Sequence, residues 1–251
     1  MKSIKGKKLV IFDLDGTLAQ SKQAMSPSMS TLIQSLIQHI KVAIISGGGF
    51  PQFQKQFLAT FDAHAPGLSN LYLLPTSGTR CMTWNKDWQE KYAENLTEKE
   101  KKSVYAAFEY AMHAVKYAQP AKTYGEVIED RGSQITFSAL GQNAPLAEKE
   151  KWDPDRSKRQ ALISALQTKI PEFDIRIGGT NSIDITRKGV NKAYGIHKLE
   201  HLLKIPIKDM LFVGDALFFG GNDFPAKSTG VDCIEVSGPE ETEKVIRSWI
   251  S

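Results

Sequence analysis

No run of roughly 18 or more apolar residues occurs in the chain, so no membrane-spanning helix and no membrane association are expected. Cysteine is scarce: Cys81 and Cys233 are the only two, and neither lies in a CxxC or Cys/His metal spacing. That excludes a disulfide framework and favours a reducing, cytoplasmic compartment. Charge of one sign is also nearly absent. Thirty-two Lys and Arg against 28 Asp and Glu leave a formal net charge of +4. Such a diffuse excess helps attract a small anion but does not make a nucleic-acid surface. Repeats, low-complexity segments and long charge runs are missing. The basic start, MKSIKGKKLVIFDL, carries an apolar run of only about six residues followed by acids, which reads as a buried strand rather than a signal peptide. Without a secretory signal, the sequon Asn95-Leu96-Thr97 reads as accidental.

What is present is an ordinary globular balance, 41% apolar and 24% charged over 251 residues, enough for a core domain with an insert. Lys8 to Asp13, Val42 to Ile45 and Leu71 to Leu74 are short apolar runs separated by helical stretches, roughly Ser28 to His39 and one opening at Pro51. This alternation predicts βαβ units and a parallel sheet. The pattern changes near Thr83. Thr97 and Glu100 form a capping-box pair opening a long helix with Val104, Phe108, Ala111 and Val115 on one face. Strand-like pieces follow at Glu126–Glu129 and Gln134–Phe137, a helix from Asp153-Pro154, and further strands at Asp174–Ile177 and Ser182–Thr186. That block predicts a separate α+β domain inserted into the first. After Lys188 the α/β pattern returns: a helix from Asn191 to Leu203, buried Met210–Val213 ending at Gly214-Asp215, a strand over Asp232–Val236 and a closing helix over Glu240–Trp249.

Ligands of open α/β sheets bind at the carboxyl ends of the strands. Asp13 with Asp15, Ser46, Lys192 and Asp215 stand there. Ser46-Gly47-Gly48-Gly49 has neither GxGxxG spacing nor a P-loop lysine, so a nucleotide cofactor is not expected. His197 and His201 have the i, i+4 spacing of a metal pair, but without an accompanying glutamate motif they read as a helix-surface pair. Lys188 reads as a loop lysine. Trp84, Trp88 and Trp152 are expected to pack at the domain junction rather than line a sugar site.

FDLDGTL (Phe12 to Leu18) resembles the first motif of the haloacid dehalogenase superfamily, and SGGG its second. Lys192 within KGVNKAYGI is similar to the third, and GDALFFGGNDF (Gly214 to Phe224) to the fourth. The resemblance implies an α/β Rossmannoid parallel-sheet core with an inserted α+β cap domain: core 1–84 and 188–251, cap 85–187. It also implies a phosphoryl-transfer enzyme of monomeric or homodimeric form acting on a small phosphorylated substrate, a sugar phosphate being the expected one. The resemblance implies the following roles, which are physically coherent. Asp13 attacks phosphorus to give an aspartyl-phosphate. Asp15 protonates the leaving alcohol and later deprotonates water. Mg2+ takes oxygens from Asp13, the Asp15 carbonyl and Asp215. Ser46, Gly47 and Lys192 hold the phosphate, while Asn222 and Asp223 orient the site.

The middle block, from Glu126 through Asp184, is similar to the cap of eukaryotic-type phosphomannomutases, as is GGNDF. In that family cap arginines grip a second phosphate. Arg131, Ser182 and Asp184 match substrate-binding positions, whereas Lys22, Gln142 and Lys149 stand where the family has arginine. Lysine lacks the bidentate fork and glutamine lacks charge. The departure favours a phosphatase over a mutase. The cap is expected to close over the core, with hinges near Thr83–Lys86 and Thr186–Gly189.

Overall fold

In the computed structural model, which describes residues 4–250, the run LVIFD forms β1 (Leu9–Asp13), with all five residues buried. Successive strand residues face opposite sides, so each face needs its own cover. Val10 and Phe12 enter one core cluster, Leu9 and Ile11 another. α1 (Pro27–Leu36) opens on a Ser26 cap with proline in its first turn, and β2 (Lys41–Ile45), α2 (Phe50–Gln56) and β3 (Leu71–Leu74) follow. Next come β4 (Arg80–Asn85) and β5 (Asp87–Ala93), antiparallel to each other, with β4 antiparallel to β3.

The intervening elements are α3 (Glu98–Ala114), β6 (Ile128–Asp130), β7 (Gln134–Ser138), α4 (Leu146–Trp152), α5 (Ser157–Gln167), β8 (Phe173–Gly178) and β9 (Ser182–Arg187). The chain then resumes the first pattern with α6 (Lys192–Leu203), β10 (Met210–Gly214), the short α7 (Phe224–Lys227), β11 (Asp232–Glu235) and α8 (Pro239–Ile250).

Two compact units result. The first comprises the described residues through Ala93 and from Val190 onward; the second is Glu94–Gly189. The first holds a seven-stranded sheet in the order β11-β10-β1-β2-β3-β4-β5. The strands from β11 to β3 run parallel, as the alternating pattern predicts. The two antiparallel strands at the other edge differ from the expectation of a purely parallel core. β5 (DWQEKYA) is half-exposed and polar, so it carries no continuous apolar run. The units therefore part at residues 93/94 rather than 84/85. Thr83 to Lys86 lie in and just beyond β4, within a hairpin rather than at the crossing between units. One face of the sheet packs against α1 and α8 through Ile33, Leu36 and Ile246; the other packs against α6 through Ile196 and Leu199.

The second unit is a four-stranded antiparallel sheet, β6-β7-β9-β8. Its apolar face, Ile135, Phe137, Ile183 and Ile185, packs on α3 and α5. The capping box at Thr97 and Glu100 is present, with both reciprocal hydrogen bonds. α4 was not expected from the sequence, and α5 begins at Ser157 rather than at Asp153. Asp153 instead pairs with buried Arg159 at 2.8 Å. Trp84 and Trp88 meet edge-to-face, 5.5 Å apart, against the first unit's own core. Trp152 packs on Tyr117 inside the second. Each packs on residues of its own unit.

Candidate active site

β1, β2 and β10 are parallel neighbours, so their carboxyl ends share one edge of the sheet. Asp13 ends β1, Ser46 directly follows β2, Asp215 directly follows β10, and Lys192 is the first residue of α6. Asn191 caps α6 by accepting from the Tyr194 amide at 3.2 Å, which fixes where the Lys192 side chain starts.

Lys192 is buried between two carboxylates. It donates to Asp13 Oδ1 at 2.5 Å and also to Asp223 Oδ1. Asp223 is held in turn by the Ala216 amide at 3.0 Å. Burial pushes the Asp13 carboxyl up to about 8, with Lys192 opposing and the Asp223 charge adding to the rise. Burial pulls Lys192 down, but the carboxylates of Asp13 and Asp223 outweigh it, so the ammonium stays protonated. Asp215 is raised first by burial and then by Asp223. Thr17 donates to Asp215 at 3.1 Å. Gly16 has φ +85°, and a Cβ there would lie 2.5 Å from Asp215 Oδ2, so only glycine lets the loop pass.

Oxygens of Asp13, Asp215 and Asp223 lie within 4.8 Å of one another. Asp13 Oδ2 is buried with no hydrogen-bond partner. An all-oxygen donor set, an orphaned buried carboxylate oxygen and a single ammonium among several acids fit a hard divalent cation. Asp223 belongs to this cluster geometrically, yet both its oxygens are already engaged, as an orienting residue's would be.

Asp15 lies two residues beyond β1. Its Oδ1 accepts from the Lys22 amide at 2.9 Å and from Gln56 at 3.1 Å; its Oδ2 accepts from Gln52 at 2.6 Å, with Ser46 Oγ at 3.5 Å. Ser46 is buried, and its Oγ accepts from the Gly48 amide at 3.1 Å. A Cβ on Gly47 would meet open space. Asn222 departs from expectation. It is exposed and makes no hydrogen bond among the described residues, whereas the loop turns Leu217 and Asp223 inward. His197 is half-exposed beside Glu200 and stands outside the carboxylate cluster. Sequence reasoning missed Thr17, Gln52 and Gln56. Thr17 sits inside FDLDGTL, and the glutamines share one face of α2 at i, i+4; both are signals within reach of the sequence.

In the second unit Arg131 donates to Glu129 at 2.8 Å and to Gln142 Oε1 at 3.3 Å. Gln142 donates to Ser138 Oγ, which shares a hydrogen bond with Ser182 Oγ at 2.9 Å. Thr136 donates to Asp184 at 2.7 Å. The sheet alternation sets Thr136, Ser138, Ser182 and Asp184 on the face opposite the apolar core. Lys149 is buried and donates to the Gln142 carbonyl at 2.9 Å.

A sequence model of haloacid dehalogenase-like hydrolases matches residues 10–224. The chain is 28% identical to a phosphomannomutase of Encephalitozoon cuniculi over 254 residues, spanning 96% of this chain and 92% of that one. Its fold is similar to an IMP-bound, N-terminally truncated IMP-nucleotidase of Plasmodium falciparum, at TM-score 0.67 and 18% identity, covering 97% of this chain and 68% of that one. A trehalose-6-phosphate phosphatase of Aspergillus fumigatus is similar at TM-score 0.57 and 17% identity, covering 98% and 94%. Among the described residues, no helix is long and apolar enough to cross a membrane.

Proposed function

This chain belongs to the haloacid dehalogenase-like hydrolases, a family of enzymes, and we propose that it is a magnesium-dependent phosphatase of sugar phosphates or similar small phosphomonoesters. Asp13 is the nucleophile: its carboxylate attacks phosphorus, the ester oxygen leaves, and an aspartyl-phosphate forms. Asp15 gives its proton to the departing alcohol and takes one from the water that releases phosphate. Lys192 and Ser46 hold phosphate oxygens, and Asp223 keeps Lys192 aimed. Asp13, the Asp15 carbonyl and Asp215 would hold magnesium, which when bound supplies positive charge to the equatorial phosphate oxygens. Arg131, Ser182 and Asp184 select the substrate's alcohol portion, and the second unit serves as the specificity domain.

The mutase reading is favoured by the Encephalitozoon relative, which carries that name. One observation supports the phosphatase instead. A mutase must hold a second phosphate firmly, yet Arg131 already engages one edge of its guanidinium, Nε and Nη2, with Glu129 and Gln142. Gln142 brings no charge, and the Glu129 carboxylate would repel a phosphate. Charge-assisted bonds to phosphate are about twice as strong as neutral ones, so a bisphosphate would dissociate before turning over. The deciding experiment incubates the enzyme with mannose 1-phosphate and a bisphosphate activator and follows both products by phosphorus NMR. Free phosphate should predominate; predominant mannose 6-phosphate would establish the mutase.

A further inference from the structure

Asp15 lies in a loop, and a loop carboxylate is free to rotate unless something holds it. Here both its oxygens are held. Gln52 reaches Oδ2 at 2.6 Å, Gln56 reaches Oδ1 at 3.1 Å, and the Lys22 amide closes on Oδ1 at 2.9 Å. The two glutamines come from one face of α2, immediately after the Ser46 loop. We propose that Gln52 and Gln56 are positioning residues for Asp15, fixing its carboxylate in the rotamer that delivers a proton to the leaving group. This rests on the reading of Asp15 as acid and base given above.

Two further observations support it. Gln56 is 2% exposed, and its Oε1 is buried without a partner. Folding tolerates that unpaired acceptor while the amide's other end is committed to Asp15 and the Gln23 carbonyl. Gly48 provides the room: a Cβ there would overlap the Gln52 amide, on Oε1. Neutral amides also orient a carboxylate without the ion pair that lysine or arginine would form.

Phosphoryl transfer forms the bond from Asp13 to phosphorus, breaks the ester bond, and moves a proton from Asp15 to the alkoxide. A p-nitrophenolate leaves without that proton; an alkoxide does not. The parameter kcat/KM reports steps through this transfer. It is to be measured for an alkyl phosphomonoester and for p-nitrophenyl phosphate, with magnesium present. Gln52→Ala and Gln52→Glu should lower the alkyl value by about 10-fold and the p-nitrophenyl value by less than about 3-fold. Gly48→Ala, which displaces the Gln52 amide, should give the same selective loss, as should Gln56→Leu. Gln54→Ala, an exposed neighbour on α2, should change neither. Equal losses on both substrates, or a gain on the alkyl ester, would overturn the proposal. Asp15→Asn separates the two levels of the argument. If it also fails to discriminate between the esters, the reading of Asp15 itself falls. If it discriminates and the glutamine variants do not, only the positioning role falls.

Discussion

Replacing Lys192 with methionine keeps the aliphatic stem and removes the ammonium. Lys192 and its partners Asp13 and Asp223 have side chains at most 2% exposed. Without the ammonium, two carboxylates remain within 4.8 Å of each other. Their repulsion is roughly 3.5 kcal/mol at an effective dielectric of about 20. Breaking a buried pair by deleting one partner costs about 3–5 kcal/mol. Asp13, already pushed up to about 8, can take a proton at pH 7 and relieve part of this. The expected loss is therefore near the lower bound, about 3 kcal/mol. Urea unfolding of metal-free protein measures it. Two outcomes accompany the loss if compensation of buried charge is the cause. Added magnesium should restore much of the stability, and Asp223→Asn in the Lys192→Met background should raise it rather than lower it further. A loss below about 1 kcal/mol without magnesium, or a double variant weaker than the single one, would refute the reasoning.

Asp13→Asn should reduce phosphatase turnover by at least about 10³-fold with the circular dichroism spectrum unchanged; near-normal turnover would rule out the covalent step. Exhaustive chelation should abolish phosphate release and added magnesium should restore it, whereas full activity in a verified metal-free preparation would exclude the cation. Glu100 is held down to about 2, chiefly by the hydrogen bond from Arg187, and a folded value below the unfolded one contributes stability above about pH 4.5 that fades as pH falls toward 2. Glu100→Gln keeps a capping acceptor but loses the charge. With the two side chains 27% and 40% exposed, it should cost about 1 kcal/mol or less at pH 7. That difference from the parent should shrink on acidification; a constant difference would mean the pair's charge contributes nothing.

The strand-end residues were legible because each follows a short apolar run, and the chemistry of an α/β sheet concentrates at those ends. β1, β2, β3 and β10 could be read for the same reason. β5 could not, since its half-exposed residues alternate with charge and look like a linker. α4, seven residues of mixed charge, has too few buried positions to declare a period. For Gln52 and Gln56 the shared helix face was within reach of the sequence, but not what that face meets. Glutamine on a helix is ordinarily solvated, and only the tertiary fold turns that face of α2 toward the loop. Arg131 came from the family resemblance, which is silent on Glu129, two positions earlier in the chain and its partner in the fold.

The topology places β1 between β2 and β10, and Asp13 and Lys192 stand 179 positions apart in the chain. At a ribosomal rate of about 5–20 residues per second, roughly 10–40 s separate the emergence of the acid from that of its counter-ion. By the end of that interval Glu94–Gly189 has emerged as a continuous segment, while the apolar edge of LVIF still lacks β10. β1 thus waits far longer for β10 than for β2, and the carboxylate at its end gains its buried counter-ion only once Lys192 has emerged.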